Sequence, residues 1–185
     1  LVTNDIINAL KTGEADIGIL ATPLHDEKLD EHPVFYEEFF AYTSADEKIF
    51  KKKYLLPGDI NLHNLWLLEE GHCLRNQVFN LCELKKMNPA QVRLHYEAGS
   101  IETLINLVDY NKGITILPYL ATLHLSKSQQ QKIRAFAQPK PVREVSLVVN
   151  KNFYRTNILK ALKAAIENAL PEGARSVKRK NVLEI

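Results

Sequence analysis

Ser100-Ile-Glu-Thr-Leu-Ile-Asn-Leu-Val-Asp-Tyr-Asn-Lys-Gly-Ile-Thr-Ile-Leu-Pro118 changes its apolar rhythm once, and that change decides the fold class. Up to Tyr110 the apolar residues recur at helical spacing, with Ser100 placed to cap the helix. Gly113 supplies the stop, and Ile114–Leu117 is a short apolar run rich in branched side chains, ended by Pro118. Helix followed by buried strand is the unit of an α/β fold. The same alternation extends outward in both directions. Upstream come a strand at Val92–Tyr96, a helix from Cys73 to Met87 ended by Asn88-Pro89, and a strand at Leu65–Leu68. Before these stand a Pro- and Asn-containing loop from Lys51 to Asn64, an extended aromatic run from Pro33 to Thr43, and a charged loop from His25 to His32. Ile17–Ala21 is a short strand. It follows a helical stripe of Ile6, Ile7 and Leu10 that Thr3 or Asn4 can cap and Gly13 can stop. Downstream, Arg143–Val149 is a strand. Asn157–Leu170 is an amphipathic helix capped by Thr156, with Ile158, Leu162, Ile166 and Leu170 on one face. Buried strands alternating with helices imply an α/β fold whose sheets are mainly parallel and covered on both faces.

Composition narrows the function classes. The 185 residues are 45% hydrophobic and 25% charged, which is ordinary globular chemistry. A formal net charge of +2 is too balanced for the whole surface to be a nucleic-acid footprint. Basic residues do cluster at Lys51, Lys52 and Lys53 and at Arg175, Lys178, Arg179 and Lys180, where solvated faces are the plainer reading. No stretch approaches the ~20 apolar residues of a membrane span. Two cysteines exclude a secreted disulfide scaffold and favour a reducing, cytoplasmic compartment. Leu1 opens the chain in place of Met, and Leu1–Leu10 reads as the middle of a fold, as expected of a fragment.

The segment Glu69-Glu-Gly-His-Cys-Leu-Arg-Asn-Gln-Val-Phe-Asn-Leu-Cys82 carries the chemistry. Cys73 falls at the start of a helix, where free N–H groups and the positive end of the dipole favour a thiolate. Arg75 in the first turn and His72 beside it add positive charge, while Glu69 and Glu70 oppose it. Cys82 shares an apolar face with Leu74, Val78 and Leu81 and points to the core. Nine helical positions place the two cysteines on opposite sides and roughly 13 Å apart along the axis. A disulfide needs Cα atoms within about 7 Å, so the pair cannot bond while the helix is intact. Two readings stand: a switch that unwinds the helix, or two unrelated thiols. Unwinding exposes Leu74, Val78, Phe79 and Leu81 at a cost of at most roughly 6–12 kcal/mol. A metal site on His72, Cys73 and Cys82 lacks finger spacing. A Cys–His enzyme would draw on His72, His95 or His124, and His72 is too close in sequence to serve Cys73 well as a base.

Gly71-His-Cys-Leu-Arg75 followed by Cys82 resembles the redox signature of the OxyR family, the LysR-type regulators of the bacterial peroxide response. Leu10-Lys-Thr-Gly-Glu-Ala-Asp-Ile-Gly-Ile-Leu20 is similar to the glycine–acid–aspartate pattern of the LysR effector domain. Ser100–Val108 and Gly113–Pro118 are similar to its second lobe. The likeness covers about 170 residues, leaving out the C-terminal tail. It implies a two-lobed, periplasmic-binding-protein-like architecture. Residues 1–38 and 146–170 would form lobe I, incomplete for want of its first strand and helix. Residues 39–145 would form lobe II with the redox segment, and residues 171–185 a tail. The resemblance also implies peroxide oxidation of Cys73 to a sulfenic acid and resolution by Cys82 as an intramolecular disulfide. Thr3, His72, Arg75 and Arg143 would bind peroxide or stabilise the thiolate. Asn76 departs from the pattern, standing where the signature has an acidic residue.

Further implications are a homodimer or homotetramer, promoter DNA bound through a helix-turn-helix absent from this chain, and a dithiol reductant such as glutaredoxin or thioredoxin. No cofactor, metal or membrane is expected, and the chemistry is stoichiometric sensing without enzymatic turnover. The alternatives are a LysR-type regulator that binds a small metabolite between its lobes with incidental cysteines, and a thiol-dependent peroxidase.

Overall fold

A computed structural model describes residues 2–70, 72–82, 97–177 and 182–183. Eight strands and seven α-helices are formed among them. They are α1 (Thr3–Thr12), β1 (Ile17–Thr22), β2 (Leu29–Thr43), β3 (Tyr54–Leu55), β4 (Leu67–Leu68), α2 (Cys73–Leu81), β5 (Glu97–Ala98) and α3 (Ile101–Asn111). There follow β6 (Ile114–Pro118), α4 (Tyr119–Thr122), α5 (Lys127–Gln130), β7 (Ile133–Phe136), β8 (Val142–Asn150), α6 (Thr156–Ala169) and α7 (Glu172–Arg175).

The long strand β2 organises the chain. Its first part, from Leu29 to Glu38, pairs with β8, which in turn pairs with β1. Its last part, from Phe39 to Thr43, pairs with β6 on one side and with β7 on the other, and β3 completes the order. The four pairings among β1, β2, β6, β7 and β8 are antiparallel, while β3–β7 and β4–β5 are parallel. The α/β class holds, and the expected parallel sense of the sheets is corrected. Near-continuous apolar runs report burial on both faces, and a doubly covered antiparallel strand such as β8 reads the same way.

Burial follows the same division. Leu10, Leu20, Leu29 and Val148 form one apolar cluster with Ile6 and Ile7 of α1 against it, and Leu147, Val149 and Leu159 form another under α6. A larger cluster joins Phe39, Ile49, Leu55, Leu74, Val78, Leu81, Leu104, Ile116 and Phe136, beside a smaller one around Tyr42 and Val108. The C-terminal stretch is partly built into the fold: α7 packs on β2, Ala174 is buried, and Val182 bridges to Val142.

The deciding stretch behaves as read. Ser100 Oγ accepts the Thr103 N–H at 3.1 Å and opens α3. Gly113 adopts φ +104°, and a Cβ there would stand 2.5 Å from the Asn64 carbonyl and 2.7 Å from Trp66 Nε1. That space lets Trp66 donate to the Lys112 carbonyl at 2.7 Å and β6 run directly from the turn.

Several local readings need correction. Thr3 and Thr156 are the first residues inside α1 and α6, and neither helix has a side-chain cap. On α6 the buried face runs through Leu159, Leu162 and Ile166, while Ile158 is 52% exposed. The helix beginning at Cys73 runs to Leu81, and residues 83–87 of the expected helix lie outside the described residues. The strand read at Val92–Tyr96 lies outside the described residues. The strand β7 gives no signal in the sequence, because Ile133-Arg-Ala-Phe136 is too short and mixed to show a period.

A part-buried polar network ties β2, α3 and α5 together. Asp109 accepts from Tyr42 at 2.6 Å, Lys132 at 2.7 Å and Gln129 at 3.0 Å. Burial works against the Asp109 charge, but hydrogen bonds from Lys132, Tyr42 and Gln129 outweigh it and hold the carboxyl below its usual value. A lowered carboxyl contributes stability above its unfolded pKa, and that stability is lost as pH falls through the folded value. Asp109→Asn is expected to cost about 1–3 kcal/mol in urea unfolding at neutral pH. The gap between the two proteins should shrink below about pH 4, and a gap independent of pH would disprove the linkage.

Candidate functional site

The site is built on α2 and the strand beneath it. His72 precedes the helix in extended conformation (φ −86°, ψ 123°) and makes no side-chain cap. Cys73 is the first helical residue and is partly exposed, so a small oxidant can reach its sulfur at the positive end of the helix. Leu74, Val78 and Leu81 face the large apolar cluster, and that packing is what makes so short a segment fold as helix.

Arg75 is buried at 7% exposure. Its NH1 donates to the Leu68 carbonyl of β4 at 2.7 Å, and the guanidinium lies 5.2 Å from the Phe79 ring centre. It therefore fastens α2 to β4. Asn76 is exposed, on the outer side of the helix.

One buried group on this helix escaped the sequence reading. Gln77 is fully buried, and both its Nε2 and Oε1 lack a hydrogen-bond partner among the described residues. Leaving such an amide unpaired costs about 1–3 kcal/mol for each group, so a purely packing role would be better served by leucine. Gln77 stands four positions after Cys73, which on a helix is the same side and roughly 6 Å further along. That spacing was the available signal, and only burial shows that the amide is orphaned.

Cys82 closes α2. It has left helical geometry (φ −89°, ψ 7°), yet its N–H still donates to the Val78 carbonyl at 3.0 Å. Its side chain packs against the large cluster, and burial pushes the thiol up to about 12. With α2 unbroken between them, the cysteines are separated by roughly 13 Å of helical rise.

The other expected site residues lie on α1 and β8. Thr3 begins α1, which packs on β1 and β8. Arg143 Nε donates to Glu37 Oε1 at 2.6 Å, and the same guanidinium pairs with that oxygen through NH2 at 2.5 Å. Glu37 is fully buried and also accepts the Leu120 N–H at 3.0 Å. The described contacts of Arg143 thus neutralise a buried carboxylate between β2, β8 and α4. His124 lines a groove with Ile101 and Leu125, and His95 lies outside the described residues. Among the described residues no three His, Cys, Asp or Glu side chains are grouped to hold a metal ion, and no helix is long and apolar enough to cross a membrane.

A family model described as the LysR substrate binding domain matches residues 1–171. The chain is a LysR substrate-binding domain. This LysR domain is 33% identical over 146 residues to the hydrogen peroxide-inducible genes activator of Haemophilus influenzae, covering 79% of this chain and 48% of that protein. The crystal structure of OxyR from Porphyromonas gingivalis superposes with a TM-score of 0.85 at 33% identity, covering 100% of this chain and 83% of that one. The reduced OxyR regulatory domain of Pseudomonas aeruginosa gives a TM-score of 0.74 at 29% identity, covering 89% and 78% of the two chains. The LysR domain spans about half the length of the curated relatives it matches.

Two outcomes are expected of this geometry. Burial raises the Cys82 thiol well above its ordinary value, so alkylation at pH 8 followed by peptide mapping should label Cys73 before Cys82. Equal labelling would contradict the buried position of Cys82. Gln77→Leu should raise the unfolding free energy by roughly 2–6 kcal/mol, read by urea titration, since it removes two unpaired buried groups at about 1–3 kcal/mol each. A loss of stability instead would mean that the amide has a partner.

Proposed function

We infer that this LysR domain is the regulatory part of a transcription regulator that senses hydrogen peroxide through Cys73 and Cys82. The observation that carries the reading is the pairing of a half-buried Cys73 at the start of α2 with Cys82 at its end, packed against the large cluster with its thiol raised by burial. Its likeness to a hydrogen peroxide-inducible genes activator and to OxyR supports it.

The thiolate of Cys73 attacks one oxygen of hydrogen peroxide, giving a sulfenic acid and releasing hydroxide. His72 just before α2 and the Gln77 amide on it are the local groups available to hold the peroxide. Thr3 of α1 and Arg143 of β8 would join them if those elements close over the thiol. Arg75 acts by holding α2 on β4 while the thiol waits. Cys82 then attacks the sulfenic sulfur, and the bond between them forms with loss of water. That second step requires Cys82 to leave the core, because α2 keeps the sulfurs apart and burial keeps the Cys82 thiol protonated. Oxidation is thereby coupled to the unwinding of residues that pack Leu74, Val78 and Leu81.

The apolar clusters support a two-lobe division. Those around Leu10 and Leu147 draw only on residues 6–34 and 147–166, and the two larger ones on residues 39–136 with Leu183. On this division lobe I is residues 1–38 and 146–170, and lobe II residues 39–145. Refolding within lobe II would alter how copies of the domain associate, and so how an attached DNA-binding domain meets its promoter. A cytoplasmic dithiol such as glutaredoxin or thioredoxin would reset the switch. The chemistry is one turnover per reduction, and the domain is a sensor, not an enzyme.

One equivalent of hydrogen peroxide added to the reduced domain should produce a Cys73–Cys82 crosslink on peptide mapping, reversed by dithiothreitol. Cys82→Ser should stop at a sulfenic acid trappable by dimedone, and Cys73→Ser should leave Cys82 free. Both thiols remaining free in the parent protein would sink the mechanism.

A further inference from the structure

The exposed edge opposite β1 has a chemistry that peroxide sensing does not use. Residues 48–56 read Lys-Ile-Phe-Lys-Lys-Lys-Tyr-Leu-Leu. Ile49 and Leu55 are buried at 3% and 0% and anchor the segment in the large cluster. Arg134 of β7 fixes it further, donating to the Phe50 carbonyl and stacking 4.3 Å from the Phe50 ring centre. What remains outside is a run of cations with apolar groups among them. Lys48, Lys51, Lys52 and Lys53 are exposed, as are Tyr54 at 55% and Leu56 at 59%.

The nearby acids are already engaged. Asp59 binds Lys52 at 2.7 Å, Asp46 pairs with Lys112, and Glu47 accepts from Asn64. Lys48, Lys51 and Lys53 have no carboxylate partner among the described residues, and Lys53 Nζ lies 5.5 Å from the Tyr54 ring centre.

The backbone adds a second feature. Among the described residues β3 is the last strand of its sheet, pairing on one side with β7 alone. The Leu55 carbonyl accepts from Ala137, so Leu55 turns its polar groups toward β7. By the alternation of a ladder, Tyr54 turns its N–H and carbonyl outward. The same edge therefore offers the backbone donor and acceptor of Tyr54, two exposed apolar side chains and three ammonium groups without a carboxylate among the described residues.

We propose that this edge docks an extended acidic peptide segment of a partner protein, which adds to β3 as a further strand. Carboxylates on the incoming strand would meet Lys48, Lys51 and Lys53, and apolar side chains alternating with them would cover Tyr54 and Leu56. A nucleic-acid duplex fits less well, since its phosphates would leave the Tyr54 backbone groups unpaired and Tyr54 and Leu56 uncovered.

The test uses the full chain and a fluorescein-labelled peptide of about ten residues alternating glutamate with valine, followed by anisotropy near 0.15 M ionic strength. Saturable binding is expected, weakened about tenfold or more by Lys51→Glu combined with Lys53→Glu, whose fold is checked by circular dichroism. N-methylation of alternate peptide nitrogens should also weaken it, because strand addition needs those donors. The proposal is overturned by absence of saturable binding, by affinity unchanged in the charge-reversed variant or with the N-methylated probe, or by tighter binding of a DNA duplex of equal charge.

Discussion

The architecture depends on β2 remaining one continuous strand while its hydrogen-bonding partners change. From Leu29 to Glu38 its ladder belongs to β8, and from Phe39 to Thr43 it belongs to β6 and β7. The exchange occurs beside Glu37, whose carboxylate is fully buried and held by Arg143 and the Leu120 N–H. A buried carboxylate without these donors would be costly, so the ion pair helps fix where one set of partners gives way to the next. Each apolar cluster forms on one side of this point.

Within this architecture α2 is a metastable element by construction. Its nine residues are short for an isolated helix, and Leu74, Val78, Leu81 and the Arg75 contact to Leu68 hold it in place. The orphaned Gln77 amide weakens the same helix from within. A helix held by a few side chains and burdened by an unpaired polar group can be undone by one covalent event. The cysteines at its two ends are placed so that only its undoing lets them meet. Cys82 needs no separate guard against premature reaction, because burial keeps it protonated.

How much of this was legible in sequence varies with the range of the interaction. The Ser100 cap, the Gly113 stop and the Gly13 terminus were readable because each is a local matter of backbone angles and nearest donors. Cys73 at a helix start and Cys82 on the apolar face were readable for the same reason. Thr3 and Thr156 misled, since a good capping residue can equally occupy the first turn when tertiary packing sets the boundary. Arg75 and Arg143 were read as charges available to a thiol. Their partners, the Leu68 carbonyl and Glu37, come from elements that only folding brings near.

The sequence by itself determined the alternation of helices and strands, the helical interval between Cys73 and Cys82, and the apolar faces of α1 and α2. These follow from spacing along the chain and the fixed rise of a helix. Tertiary structure alone decided the antiparallel sense of the main sheets, the burial of Glu37 and Arg143 together, and the isolation of the Gln77 amide. Strand direction and hydrogen-bond satisfaction depend on which distant segments become neighbours, and no local pattern of residues encodes that.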